Sequence, residues 1–497
     1  MSIVKHAAIR DAAALILLDE TGSSVLWAQR NPAMKFLGGN FGFPGGSIEE
    51  QDYLTPVENC ANAEMAAPLV CAIRETFEEI GVLPVKGAAK LTKGQLQSLN
   101  DELQSGRAGF SDILEHWGLK IDFAMFEYAG FWTTPEFSPI RFKTHFFISK
   151  CEKKLFPYAA TDETTAVEFI KPDEAKAKWT RSEVIIVPPV FFTIDALQKT
   201  NDLAKTATLL KKRSKKLNGT TEYIAYNAHI KCVPLLTKTL PPATHTNCFI
   251  VGEKKFVVID AASKDTGEQE KLARIVDKLV VNGGSCKAII VSHLHLDHIG
   301  GEAALQEHFY NKHGQKVPIL THKQTVESLG SSFKADGFLA DDEKIELCSF
   351  SGNPFQLTIL HTPGHARGHL CFYDQSNGFL LSSDNVLSFG TVVISPPEGN
   401  MRDYLQSLKR MRALDNLRFM CGSHGTAIYD SRGKIDEYLA HRMQREEQVR
   451  TLLEKGIDDV DEITRTIYKN LNKALFPLAQ KTVFAHIEKI RLDSKID

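Results

Sequence analysis

The sequence predicts a multidomain chain of mixed α/β and α+β class. At 497 residues the chain exceeds what one hydrophobic core usually organises, and about two to four domains follow from length alone. In the second half, short apolar runs repeatedly end in polar, histidine-rich loops, the pattern of strands that deliver functional groups at their carboxyl ends. In the first half a separate, carboxylate-rich helical segment stands between Gly46 and Gly81. With 43% hydrophobic and 24% charged residues, the composition allows sizeable cores on both sides.

The apolar run 12–18 is closed at once by Asp19 and Glu20, so it reads as a first strand and not as a secretory leader. The segment 72–83 reads as a helix stopped at Gly81. On that helix Glu75, Glu78 and Glu79 stand at i, i+3 and i+4, which puts three carboxylates on one face. Arg74 can pair with Glu78 at i+4, but one cation does not neutralise three anions. A divalent cation does, and hard oxygen donors without imidazole suit magnesium or manganese shared with substrate phosphates. A further helix is expected through Leu197. The basic run 210–216 is then expected within a solvated linker over 201–222, with an RNA-contact or localisation patch as the alternative.

A second αβ unit begins near Tyr223. Leu272, Ile275, Val276, Leu279 and Val280 form a helical stripe between a strand ending at Asp260 and the apolar run 287–291. Directly after that run, His293 and His295 alternate and can converge on one metal, while Asp297 and His298 lie further round the turn and can face a second. Three later apolar runs lead to His361, His365 and His369, to Asp384 and to His424. Imidazole mixed with carboxylate suits zinc, with iron or manganese as alternatives, and paired sites of this kind are hydrolytic. His361 is expected to support the site, and His369 either supports it or faces substrate. His308, His313 and His322 read as packing or surface residues. Beyond His424, helical periodicity runs from Ile435 to Ile487.

The second constellation resembles the metallo-β-lactamase superfamily. The resemblance implies an αββα sandwich over 223–430, with His293, His295 and His365 on one metal and Asp297, His298 and His424 on the other. Asp384 would bridge both, and Asp297 would also be catalytic. The segments 246–252 and 257–260 agree, whereas Ser383 stands where glycine is usual and Cys421-Gly422-Ser423 replaces a Pro-Gly pair. The segment 361–369 resembles the glyoxalase II-like branch, which implies thioester hydrolysis. The region 431–497 resembles a winged-helix unit found in a branch that includes ribonucleases, so RNA is the rival substrate and a homodimer contact is a further role for this unit.

The N-terminal helix resembles the Nudix box, which implies an α/β/α sandwich over 1–200 with Arg74, Glu75, Glu78 and Glu79 as catalytic residues. Gly46 would be the box glycine, and Asp52 stands in place of the first glutamate. The run from Gly46 to Arg74 is longer than in the family, so an insertion over about 53–68 is implied. The spacing of Arg30, Lys35, Gly39 and Phe43-Pro44-Gly45-Gly46 resembles the coenzyme A-type signature, in which Arg30, Lys35, Gly45 and Gly46 would meet the substrate. Together these resemblances imply a bifunctional metal-dependent hydrolase acting on small molecules. A Nudix domain serving as a non-catalytic ligand sensor is the alternative.

The net charge of −2 argues against a whole-molecule electrostatic nucleic-acid binder. Nine cysteines without a Cys-x-x-Cys pair suggest reduced thiols and a cytoplasmic setting. No apolar run approaches the ~20 residues needed to span a bilayer, so no membrane partner is expected.

Overall fold

The computed structural model describes residues 8–34, 37–136, 138, 140–151 and 157–494. The chain forms two compact units, Met1–Asn227 and Ala228–Asp497.

The first unit is built on the strand Ile9–Leu18, a run of Ala, Leu and Ile that is buried on both faces from Ala12 onward. It pairs in parallel with Arg141–Lys150 and antiparallel with Gly45–Ser47, so that Ala13 lies opposite Gly46. Val25–Arg30, Thr164–Ile170 and Glu127–Thr133 extend the sheet. The helix Ala66–Ile80 packs Leu69, Val70, Ile73 and Phe77 against Ala13, Leu15 and Leu17 of the central strand. This leaves its carboxylates at the sheet edge where Gly46 arrives. Gly81 ends the helix with φ 67°, a left-handed conformation that glycine adopts without a Cβ penalty. The implied insertion is ordered: it holds the short helix Glu50–Leu54 and the strand Val57–Glu58, paired with Ile121–Asp122. The carboxylate-bearing helix itself starts at Ala66, within the stretch read as insertion.

The linker expected over 201–222 is corrected. Leu203–Lys216 is a helix capped by Asp202, and it buries Thr206, Ala207, Leu210 and Ser214. Ser214 Oγ donates to the Phe131 carbonyl at 2.6 Å and accepts the Phe131 N–H at 3.3 Å, which ties the helix to the strand Glu127–Thr133. The lysines occupy only the outer face, and the first unit continues to Asn227.

The second unit branches at the strand Lys255–Ile259. In one direction run Ser285–Ile290, Ile319–Thr321 and Gly337–Phe338, all parallel. His245–Gly252 pairs with Lys255–Ile259 antiparallel and leads to Ile230–Leu236. At Lys255 the strand also joins Lys344–Cys348, from which Pro354–His361, Leu370–Asp374, Phe379–Ser383 and Phe419–Gly422 follow. Each predicted donor segment lies at the end of one of these strands. Ser383, where glycine is usual, has φ 44°, so the backbone there keeps a conformation that L side chains seldom adopt. Ser431–Glu454, Val460–Ile467 and Phe476–Asp493 are helices, and no strand follows Phe419–Gly422 among the described residues, so the wing of a winged helix is not present there. The helices share a small core of Val449, Ile463, Val483 and Ile487, but Ile435, Tyr438 and Ala485 complete the core beneath Leu380 and Met420. The helices past 430 therefore belong to the second unit. Among the described residues no helix is long and apolar enough to cross a membrane.

Candidate metal centres

In the second unit two groups of donors converge. His293, His295, His365 and Asp384 form one, and Asp297, His298 and His424 the other, with the donor atoms of each group within 4.8 Å of one another. His295 Nδ1 lies 3.0 Å from His293 Nε2 and 2.9 Å from His365 Nε2. Asp384 stands between the groups: Oδ2 is 3.6 Å from His298 Nε2, 3.7 Å from His365 Nε2 and 4.0 Å from His293 Nε2, while Oδ1 is 3.6 Å from His424 Nε2. These gaps are too long for hydrogen bonds. They match donors sharing an ion at about 2.0–2.2 Å from each. His298 Nε2 and Asp384 Oδ1 are buried and lack a hydrogen-bond partner. The donor set thus fits transition-metal ions on chemistry, spacing and orphaned atoms alike.

Four rings are turned toward the centre by a bond at the other nitrogen. His293 Nδ1 donates to Ser292 Oγ (3.0 Å), which itself donates to Asp260 (2.7 Å). His298 Nδ1 donates to the Asp260 carboxylate (2.9 Å), His365 Nδ1 to the Val393 carbonyl (2.9 Å) and His424 Nδ1 to the His245 carbonyl (2.8 Å). Such partners fix the tautomer with the Nε2 lone pair inward. His369 is fully buried and accepts the Asp384 N–H at Nε2 (3.1 Å), while its Nδ1 donates to Thr362 Oγ1 (3.0 Å). It supports Asp384 from behind and does not face substrate. His361 bonds the Arg367 carbonyl and stacks on His322.

Burial, then the His298 and His295 neighbours, holds His293 well below the ordinary imidazole pKa, and burial with His365 pulls His295 to about 3. For His298 and His424 burial also opposes charge, but Asp384, with Asp260 or Asp297, outweighs it and raises both. The charges of Asp384, Asp260 and Asp297 thus favour positive charge at these two rings.

In the first unit Arg74 is only 1% exposed. Its Nε and Nη2 grip Asp52 at 2.8 and 3.0 Å, while Nη1 meets Glu75 (2.9 Å) and Glu78 (3.2 Å). Arg74 thus orients the carboxylates from inside the protein. Asp52 takes the bidentate partner role and also caps the helix Glu50–Leu54. A Cβ on Gly46 would come within 2.4 Å of the Glu75 carboxylate, so a larger residue there would push Glu75 off its bond to Arg74. Burial pushes Glu75 up to about 7, and burial with the Glu75 charge pushes Glu79 up to about 8. Arg30 and Glu163 also act on Glu79, and the Gly45 N–H donates to it. Arg30 Nε is buried without a partner, and Glu163 is 4.0 Å from its Nη2. Lys35 lies outside the described residues.

These raised carboxyls set a pH dependence. Between the ordinary glutamate value of 4.5 and about 7 to 8, the folded state holds protons that the unfolded chain has released, so stability falls as pH rises through that window. Burial lowers His145 and gives the opposite slope, but it is one group against Glu75, Glu78 and Glu79. All four tryptophans, Trp27, Trp117, Trp132 and Trp179, lie in the first unit, so their fluorescence follows its unfolding. The urea midpoint of chelator-treated protein is expected to fall between about pH 5 and pH 8, and magnesium should flatten the trend. A midpoint that rises over this window would contradict a protonated, buried carboxylate cluster.

Residues 8–107 match the family model of the NUDIX domain, residues 58–197 that of the NUDT19 Nudix domain and residues 241–424 that of the metallo-β-lactamase superfamily. The chain is a fusion of a Nudix domain and a metallo-β-lactamase domain. Both halves of the fusion belong to metal-dependent hydrolase families. The lactamase half is similar to the "Beta-lactamase-like protein 2 homolog" of Caenorhabditis elegans, 27% identical over 51% of this chain and 80% of the relative. It is also similar to the "Lactamase-like protein adaB" of Aspergillus niger, 31% identical over 42% of this chain and 59% of the relative. A solved NUDIX hydrolase from Alicyclobacillus acidocaldarius is 27% identical, with a TM-score of 0.37, covering 41% of this chain and 96% of its own.

All seven donors expected in the lactamase half come together, and so do Glu75, Glu78 and Glu79 with Gly45, Gly46 and Arg30 in the Nudix half. Sequence reasoning missed Asp260 as the partner of His298, and also the Val393 and His245 carbonyls. Asp260 carried one signal: it ends a strand at the same level as the donor loop, across the Ile259–Ile290 pair. The carbonyls carried none, because any residue type supplies one.

Proposed function

We propose that the fusion is a bifunctional hydrolase whose Nudix half cleaves the pyrophosphate of a coenzyme A-like substrate and whose lactamase half hydrolyses a thioester. The observation that carries the hydrolytic reading is Asp384, a buried carboxylate set between two imidazole-rich groups. His293, His295 and His365 would hold one transition metal, Asp297, His298 and His424 a second, and Asp384 both, with zinc foremost. When bound, such ions polarise the scissile group and lower the pKa of water. The protein's own part is positional: Asp260, Ser292, Val393 and His245 orient the rings, and His369 holds the Asp384 backbone. Thr239 Oγ1 rests 3.4 Å from His424 Nε2, and its neighbour Leu240 is exposed. Leu296, between two donors, is 72% exposed. Apolar side chains beside the centre suit an acyl group better than a phosphodiester backbone.

In the Nudix half Glu75, Glu78 and Glu79 would hold magnesium or manganese against the pyrophosphate. Arg74 keeps the first two carboxylates in register, and Gly46 leaves space for them. Arg30, half-buried beside Glu79 with an unpaired Nε, supports the expected phosphate contact.

The test is incubation with coenzyme A, acyl-coenzyme A and RNA, each with zinc, manganese or magnesium. Glu78→Gln is expected to abolish pyrophosphate cleavage and spare thioester hydrolysis, and Asp297→Ala to do the reverse while reducing bound transition metal. Loss of both activities in either folded variant would refute independent centres. RNA cleavage without thioester cleavage would overturn the thioester reading.

A further inference from the structure

Outside both centres, Asp277 of the helix Thr266–Val281 meets His308 and His313 of the helix Glu302–His313. His308 Nε2 is 2.8 Å and His313 Nε2 2.6 Å from the same oxygen, Asp277 Oδ1. Lys312 Nζ bonds the other oxygen, Oδ2, at 2.7 Å. The three donor side chains are 11–24% exposed, so they are sheltered yet reachable. As it stands the group is an ion-pair network, and two of its features also suit a metal. Both imidazoles aim the same ring nitrogen at one oxygen atom, although Oδ2 also accepts bonds. Lys312 supplies the outer hydrogen bond that a metal-binding carboxylate normally carries.

We propose that Asp277, His308 and His313 form a third, peripheral transition-metal site. Two imidazole nitrogens and one carboxylate oxygen are a donor set for zinc or copper(II), with the remaining position open to solvent. Donors around such an ion stand about 3.3 Å apart, so the rings need to draw back by about half an ångström. In the main centre the imidazole nitrogens also stand only 2.9–3.0 Å from one another, although its carboxylate–imidazole gaps are wider, at 3.6–4.0 Å. The helix Glu302–His313 starts directly after Gly301, which ends the loop bearing His293, His295, Asp297 and His298. An ion pinning the far end of that helix to Thr266–Val281 would brace the loop without touching it.

The experiment titrates zinc into full-length protein already loaded at its main centre, comparing wild type with His308→Gln/His313→Gln. Glutamine can still donate to Asp277 but is a poor metal donor, and far-UV circular dichroism checks the fold. Wild type is expected to take up about one more ion per chain than the variant. Copper(II) added to zinc-loaded protein is expected to give an electron paramagnetic resonance spectrum with coupling to two imidazole nitrogens, absent from the variant. A variant that misfolds is replaced by Asp277→Asn, for which the same loss of the third ion is expected. Equal uptake by wild type and variant, or no nitrogen coupling, would overturn the site and leave a hydrogen-bonded network.

Discussion

Asp384→Asn is expected to lower hydrolysis in the lactamase half by about a thousandfold, on the order of 4 kcal/mol in the barrier. The substitution keeps shape and backbone, so the Asp384 N–H bond to His369 survives. It removes the negative charge that lies within 4.0 Å of His293, His298, His365 and His424. It also introduces an amide N–H₂ that cannot donate to an ion. Bound transition metal, measured by elemental analysis of the purified variant, should fall together with activity, while the Nudix half keeps its rate. His369→Gln provides the graded comparison: it loosens the Asp384 backbone without removing a donor, and about a 10–100-fold loss is expected. An Asp384→Asn protein with full metal content and near-normal turnover would remove Asp384 from the centre.

Asp52→Ala should destabilise the first unit by about 3 kcal/mol, the lower part of the range for breaking a buried ion pair. Both partners are 1% exposed, and the contact is bidentate. The loss stays near the lower limit because the guanidinium keeps Glu75, Glu78 and the Ser47 carbonyl. Those remaining contacts predict a functional consequence as well. An Arg74 released from Asp52 is drawn further onto Glu75 and Glu78 and competes with magnesium, so the metal concentration needed for half-maximal Nudix activity should rise. Urea unfolding followed by tryptophan fluorescence measures the stability change, and a loss below about 1 kcal/mol would show that the pair is not a structural anchor.

The candidate donors were legible because their spacing is encoded locally. A strand that ends in alternating histidines needs only the period of the chain to aim its side chains, and Glu75, Glu78 and Glu79 need only the helical repeat. The helix Leu203–Lys216 departs from the linker expected there for a related reason. Its buried residues, Thr206, Ala207, Leu210 and Ser214, are mostly small, and five lysines on the outer face hide the stripe.

By itself, then, the sequence determined the two hydrolase halves, the strand-end placement of His293, His295, Asp297, His298, His365, Asp384 and His424, and the acidic face of the Nudix helix. Only the tertiary structure decided that Arg74 is a buried clamp on Asp52, that His369 stands behind Asp384, and that Val393 and His245 orient His365 and His424. It also joined Asp277 to His308 and His313 across two helices. The first group depends on side-chain type at short spacing. The second depends on burial and on backbone groups from distant segments, which chain folding brings together and which no residue pattern records.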